Sequence, residues 1–246
     1  MAHDHDRMTY PPLDTLKPVA EGLWIVDGAL PKAGVQIPVR MTVIRLASGG
    51  LWLHSPTLCA PGLRAELERE GPVAHIVAPN FAHWTFAKTW QDACPRATTW
   101  AAPGLRERGQ VKRSGLRIDH DLATWPPEEW AGEIDQVLVP GGMNVTEVAF
   151  HHRPTRTLIL TDLVENFEPE KLNPLVRPLI RAAGAMAPEG KAAAHYRLVM
   201  NMRREKVKEA AGRMLDWAPE RVIFAHGAWF ESDGTAQLRR SFRWLL

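Results

Sequence analysis

Short runs of Val, Ile and Leu that stop at Pro, Asn, Asp or Gly recur along this chain. Three of them end in chemistry-bearing residues: His75-Ile76-Val77-Ala78-Pro79-Asn80 followed by Phe81-Ala82-His83, Thr157-Leu158-Ile159-Leu160-Thr161-Asp162, and Arg221-Val222-Ile223-Phe224-Ala225-His226-Gly227. Such runs read as buried strands that end at a rim. Other elements follow from the same pattern. Leu23–Gly28 is a strand, and Met41–Leu46 with Leu51–His54 forms a hairpin around Ala47-Ser48-Gly49-Gly50. Pro61–Glu70 is a helix with Pro in its first turn, a second helix runs through Phe86 to Trp90, and Thr98–Ala101 is a strand. Ile134–Val139 alternates as a strand does and is broken by Pro140-Gly141-Gly142. Thr146–His151 and Thr157–Thr161 make a second hairpin around Pro154-Thr155. Residues 163–217 are expected to be mostly helical, with an apolar stripe over Pro174–Ala185 and an amphipathic stretch over Lys206–Trp217. A strand over Arg221–His226 and a closing helix over Thr235–Leu246 complete the order. Strand pairs followed by strand–helix units, twice over, imply two packed sheets covered outside by helices.

Composition narrows the class. With 246 residues, 45% of them hydrophobic, the chain can bury a large core. A formal charge of +2 with scattered basic residues implies no nucleic-acid partner; Arg203–Lys208 reads as a solvated helix face. Cys59 and Cys94 are the only cysteines and lack a Cys-x-x-Cys spacing, so neither a disulfide framework nor a thiolate zinc site is expected. No signal-peptide order and no membrane-length apolar run are present, which makes a cytoplasmic setting the default expectation. His3 and His5 read as part of a frayed terminus.

The three strand ends bring Asn80, His83, Asp162 and His226 toward one rim, a set able to hold a metal or to serve as acid and base. The plainer reading has Asn80 and Asp162 capping following helices and the histidines satisfying buried carbonyls.

The order of elements resembles the metallo-β-lactamase fold, an α/β four-layer αβ/βα sandwich built from two similar halves. The Gly49-Gly50 hairpin, the Pro140-Gly141-Gly142 break before a second hairpin, the strand ending at Asp162 and the late strand ending in His226-Gly227 carry this likeness. Ala78-Pro79-Asn80 with His83, Arg156–Asp162 and Phe224-Ala225-His226-Gly227 resemble a little-characterised branch known only as a domain of unknown function. The resemblance implies an N-terminal extension over 1–20 and a metallo-β-lactamase-like domain over 21–246. In active members the first metal motif is His-x-His-x-Asp-His. Here it falls on Asn80-Phe81-Ala82-His83-Trp84-Thr85, and Gly142 takes the place of a further ligand histidine. Of the ligands the resemblance implies, Asp162 and His226 remain in register, and His54 replaces an acidic residue. Two residues cannot hold two zinc ions, so a dinuclear zinc centre is not expected.

What remains is either no cofactor or one divalent ion (zinc, manganese or iron) on Asp162, His226 and His83, with one of Glu147, His151 or His152 as a fourth ligand. His151 and His152 face opposite sides of a strand, so at most one points inward. Asn80, Trp84 and Glu147 are the expected substrate contacts. Two functions stand side by side. One is a hydrolase of a small ester, lactone, amide or phosphoester, with Asp162, His226 and His83 catalytic. The other is a non-catalytic member that binds a small molecule or a partner. No Gly-x-Ser-x-Gly elbow is present, so serine acyl-enzyme chemistry is not expected; Ser55, beside His54, is an outside candidate nucleophile. Pro169–Ala187 is a lid or docking helix, or a cover for the sandwich.

Overall fold

A computed structural model describes residues 8–32 and 35–246; His3 and His5 lie outside them. The first half contains β1 (Lys17–Ala20), β2 (Leu23–Lys32), β3 (Val35–Arg45), β4 (Leu51–His54), α1 (Pro61–Glu70), β5 (Val73–Ala78), α2 (Ala87–Ala93), β6 (Thr98–Ala101), α3 (Gly109–Ser114) and β7 (His120–Asp121). The second contains β8 (Ile134–Pro140), β9 (Thr146–His152), β10 (Thr157–Ile159), β11 (Glu165–Asn166), α4 (Arg177–Ala183), α5 (Ala194–Asn201), α6 (Arg204–Asp216), β12 (Arg221–Ile223), β13 (His226–Gly227) and α7 (Gly234–Ser241). The first sheet runs β1-β2-β3-β4-β5-β6-β7, and the second β12-β10-β9-β8. β1 lies inside the segment expected as an extension, yet it pairs antiparallel with β2.

Strand alternation sorts the side chains into layers. In β5, Val77 faces the space between the sheets, while Ile76 and Ala78 face α1 and α2 beside Leu63, Leu67 and Trp90. In β9, Val148 and Phe150 join the inter-sheet layer; Ala149 meets the outer layer of Tyr196, Val207, Met214 and Phe242. The result is the four-layer αβ/βα sandwich that the pattern implies. Trp52, Trp130 and Phe150 fill its centre with edge-on contacts, ring centroids 5.0 to 6.0 Å apart.

Two expectations fail for physical reasons. Arg221–His226 is not one strand. β12 pairs with β10, then the chain leaves the sheet, and β13 pairs with β11 instead. Arg40 Nη1 donates to the carbonyls of Phe224 (3.0 Å) and Gly227 (2.9 Å), taking oxygens that a continuous ladder would have used. Gly227 has φ +93°, and an added Cβ would lie 2.3 Å from the Asn166 carbonyl oxygen, so only glycine fits that exit. The stripe over Pro174–Ala185 packs inward only through Ile180 and Ala185, which meet Phe167, Leu172 and Met186. No residue of α4 is buried, and Leu175 and Leu179 are 88% and 69% exposed. Among the described residues, no helix is long and apolar enough to cross a membrane.

His54 closes β4 on the inter-sheet side, stacked on Trp52 and edge-on to Phe150 at 5.4 Å. Burial, with His83 adding to it, pushes its imidazole down to about 3 from 6.5. His54 is neutral in the folded chain but takes up a proton when the unfolded chain drops below pH 6.5. Stability is therefore complete above 6.5 and falls by about 1.4 kcal/mol per pH unit on the way down to the folded value. We expect His54→Leu to remove this slope. Urea unfolding should shift in the variant's favour, relative to wild type, by about 2 kcal/mol between pH 6.5 and roughly pH 5.

Candidate active site

Asn80 follows β5 directly and is fully buried. Its Oδ1 accepts from the backbone N–H of Ala82 (2.8 Å) and His83 (2.9 Å), turning the chain so that His83 faces inward. Its Nδ2 donates to Thr161 Oγ1 (2.9 Å) and Asp162 Oδ2 (2.6 Å) on the other half of the molecule. Asn80 therefore caps a turn rather than a helix, since α2 begins only at Ala87. The loop after β10 is held from beneath by Glu147 of β9, whose two oxygens accept from the N–H groups of Thr161 (2.7 Å) and Asp162 (3.1 Å). Tyr196 of α5 donates its hydroxyl to the same carboxylate at 2.9 Å.

Three reactive ends meet above this support. Asp162 Oδ1 lies 3.2 Å from His83 Nε2 and 3.3 Å from His226 Nε2. His226 Nδ1 sits 2.7 Å from the Pro38 carbonyl oxygen. A carbonyl only accepts, so Nδ1 carries the hydrogen. The Nε2 of a neutral ring then turns a lone pair toward a carboxylate oxygen, and the contact needs something positive between them. A proton on Nε2 is one solution. Burial works against it, but the hydrogen bond and charge of Asp162, with Glu165 and Pro38, outweigh burial and raise His226. Burial likewise works to raise Asp162, and His83 and His226 outweigh it, holding the carboxyl well below its ordinary range.

A metal ion is the other solution. The three donor atoms all lie within 4.8 Å of one another, the single such group among the described residues. Two donors on one tetrahedral ion, each at about 2.0–2.1 Å, lie roughly 3.3 Å apart, close to both separations here. Every outer atom is also anchored, as ligands commonly are: Pro38 on His226, Asn80 on Asp162, and Ser55 Oγ at 2.7 Å from His83 Nδ1. The donor set fits one divalent ion.

The histidines and Asp162 line a cavity of about 160 Å³ together with Ser55 and Thr85. Leu30, Ile37 and Val39 from the β2–β3 hairpin line it too, as do Pro56 and Phe86. Ser55 adopts φ +53°, in the region that non-glycine residues seldom use.

Four of the residues expected at the site stand elsewhere. Trp84 donates Nε1 to the Phe81 carbonyl (3.1 Å) and packs on the core under the first sheet, away from the cavity lining. Glu147 is wholly buried beneath Asp162, so it positions that loop and does not touch a ligand. Its carboxyl is raised by burial and by the Asp162 charge. His151 stacks on Trp217 at 5.4 Å, and His152 meets Thr155 Oγ1 at 2.8 Å; strand alternation sends them to opposite faces, neither of them the site. Two further neighbours of the site have no local signal in the sequence. Glu165, paired in register with His226, is pushed up to about 7, chiefly by burial. Ser55 ranked low because it follows an ordinary strand; its contact with His83 spans 28 positions and leaves no local signature.

The model of the family described as Domain of unknown function (DUF4336) matches residues 20–186, more than half of the chain. The chain belongs to that family. His226 lies beyond the matched stretch of this DUF4336 member. No curated protein matches the sequence significantly. Solved structures similar to this chain are metallo-β-lactamases. One from Pontibacter korlensis is 13% identical with a TM-score of 0.64, covering 94% of this chain and 97% of its own. One from Hirschia baltica is 13% identical at TM-score 0.60, covering 92% and 94%. FIM-1 from Pseudomonas aeruginosa, solved in a mono-zinc form, is 13% identical at TM-score 0.59, covering 92% of each chain. These likenesses show the metallo-β-lactamase fold.

Asn80→Ala should leave the buried Asp162 Oδ2 and the N–H groups of Ala82 and His83 without their partner. We expect a loss of about 2–4 kcal/mol in urea unfolding. A change below about 0.5 kcal/mol would mean that Asn80 is not what clamps the two halves.

Proposed function

We propose that this DUF4336 protein is a hydrolase of small esters or lactones whose centre holds one divalent ion, zinc, manganese or iron, on His83, Asp162 and His226. One observation carries the reading: His226 commits Nδ1 to Pro38 and aims Nε2 at Asp162 Oδ1 from 3.3 Å, leaving room for a cation between two acceptors. When bound, such an ion supplies Lewis acidity that brings the ionisation of water near neutral pH. The chain's own groups prepare the place. Pro38 fixes the His226 ring, Ser55 fixes His83, and Asn80 ties up Oδ2 so that Oδ1 alone faces inward. Glu147 holds the loop bearing Asp162. Apolar side chains line the cavity beside the donors. The fold accepts a single zinc in FIM-1, which supports one ion here. Two ions find no further support, because Ala82 offers no donor atom, Trp84 only an N–H, and Gly142 none, with Met202 packed where a Cβ would stand.

A second reading rests on Ser55. Its Oγ is 2.7 Å from His83 Nδ1, and the opposite nitrogen is 3.2 Å from Asp162. This is a serine, base and orienting carboxylate in contact, as metal-free acyl transfer requires. The Oγ proton would pass to His83 as the Oγ–acyl bond forms. The leaving alkoxide would take that proton, and water would repeat the sequence to free the acid.

Asp162→Asn and His226→Ala should each lower turnover of generic esters and lactones by at least about tenfold while circular dichroism stays native. Elemental analysis of untagged protein purified without added metal should give about one ion per chain, and a chelator should abolish turnover. Chelator-insensitive turnover, with a fluorophosphonate adduct on Ser55, would replace this reading with the serine one. Full activity in both variants would remove both.

A further inference from the structure

The cavity beside His83, Asp162 and His226 says what its occupant must look like. Its volume of about 160 Å³ is close to that of an engineered protein cavity that takes up benzene, about 150 Å³. The part of a ligand enclosed there is therefore a single ring or an acyl chain of about six carbons. Leu30, Ile37, Val39, Pro56 and Phe86 line it and offer this group no hydrogen bond from a side chain, and the Ser55 and Thr85 hydroxyls are engaged with His83 Nδ1 (2.7 Å) and the Ala82 carbonyl (3.2 Å).

Charge is distributed to match. Among the described lining residues there is no Lys or Arg. The nearest buried guanidinium, Arg40, spends its charge on Asp27 at 2.7 Å and its Nη1 donors on the Phe224 and Gly227 carbonyls. Lys17 also reaches Asp27, at 2.7 Å. A carboxylate or phosphate on the enclosed group would thus sit unpaired against hydrocarbon, which is strongly unfavourable.

We infer that the cavity selects neutral esters or lactones whose acyl portion is apolar and about six carbons in size, and rejects those whose acyl portion carries an anion. This rests on the hydrolase reading above for its chemistry, but on the wall alone for its selectivity.

A matched pair tests it on the full chain as purified: p-nitrophenyl hexanoate against mono-p-nitrophenyl adipate, which adds a carboxylate at the far end of the same chain. The expected result is a kcat/KM at least about tenfold higher for the hexanoate. Leu30 is only half-buried, so Leu30→Arg can place a guanidinium at the wall; it should narrow that ratio at least about fivefold, with circular dichroism unchanged. Equal rates for both esters, or a preference for the adipate, would overturn the inference while leaving the hydrolase reading intact. If neither ester is turned over, calorimetric titration with hexanamide and adipamate decides. Tighter binding of hexanamide by about tenfold keeps the selectivity and discards the hydrolase. Equal binding, or binding of neither up to about 10 mM, discards the selectivity too.

Discussion

A buried carboxylate at the seam between two half-domains is the constraint on which the site depends. Asp162 leaves the second sheet's side of the molecule and meets side chains from the first half on both oxygens: Asn80 on Oδ2 and His83 on Oδ1. An ionised carboxylate without partners would be several kcal/mol too costly at that depth. His226 of the same half also reaches Oδ1, at 3.3 Å, but Asn80 and His83 arrive only with the docking of one half on the other, so the site and the interface between the sheets form together.

The same seam is stitched at further points close by. Arg40 crosses from β3 to the carbonyls on either side of His226, His226 returns to Pro38, and Val148 of β9 donates to the Pro79 carbonyl at 2.9 Å. Each bond joins residues far apart in sequence. The sandwich beneath keeps those ends in place through a close-packed layer of Trp52, Trp130, Phe150 and Ile223. Geometry at the three donors is thus inherited from rigid elements, while the cavity wall comes from the β2–β3 hairpin, which projects beyond the core.

Two positions that the resemblance sets against metal ligands are packing positions in this chain. Trp84 plugs the core below α2, and Gly142 lies under Met202, with its N–H on the Val199 carbonyl at 2.8 Å. Among the described residues one compact donor set remains, on His83, Asp162 and His226. His83 completes it through the turn that Asn80 makes.

Sequence by itself determined the layers. Period-two alternation in β5 and β9, the Gly49 turn and the runs ending at Asn80, Asp162 and His226 are local signals, because each follows from which residues can share a strand face or a tight turn. They were enough to name Asn80, His83, Asp162 and His226 as residues of one rim. Tertiary structure alone decided how they are used. The demotion of Trp84 to packing and of Glu147 to a prop, the break before His226, the exposure of α4 and the contact of Ser55 with His83 are settled by neighbours in other elements: Glu147 meets the Asp162 N–H across 15 positions, Ser55 meets His83 across 28, and Arg40 meets Gly227 across 187. Hydrogen-bond partners and burial at such distances are properties of the docked halves, and no pattern within a single segment carries them.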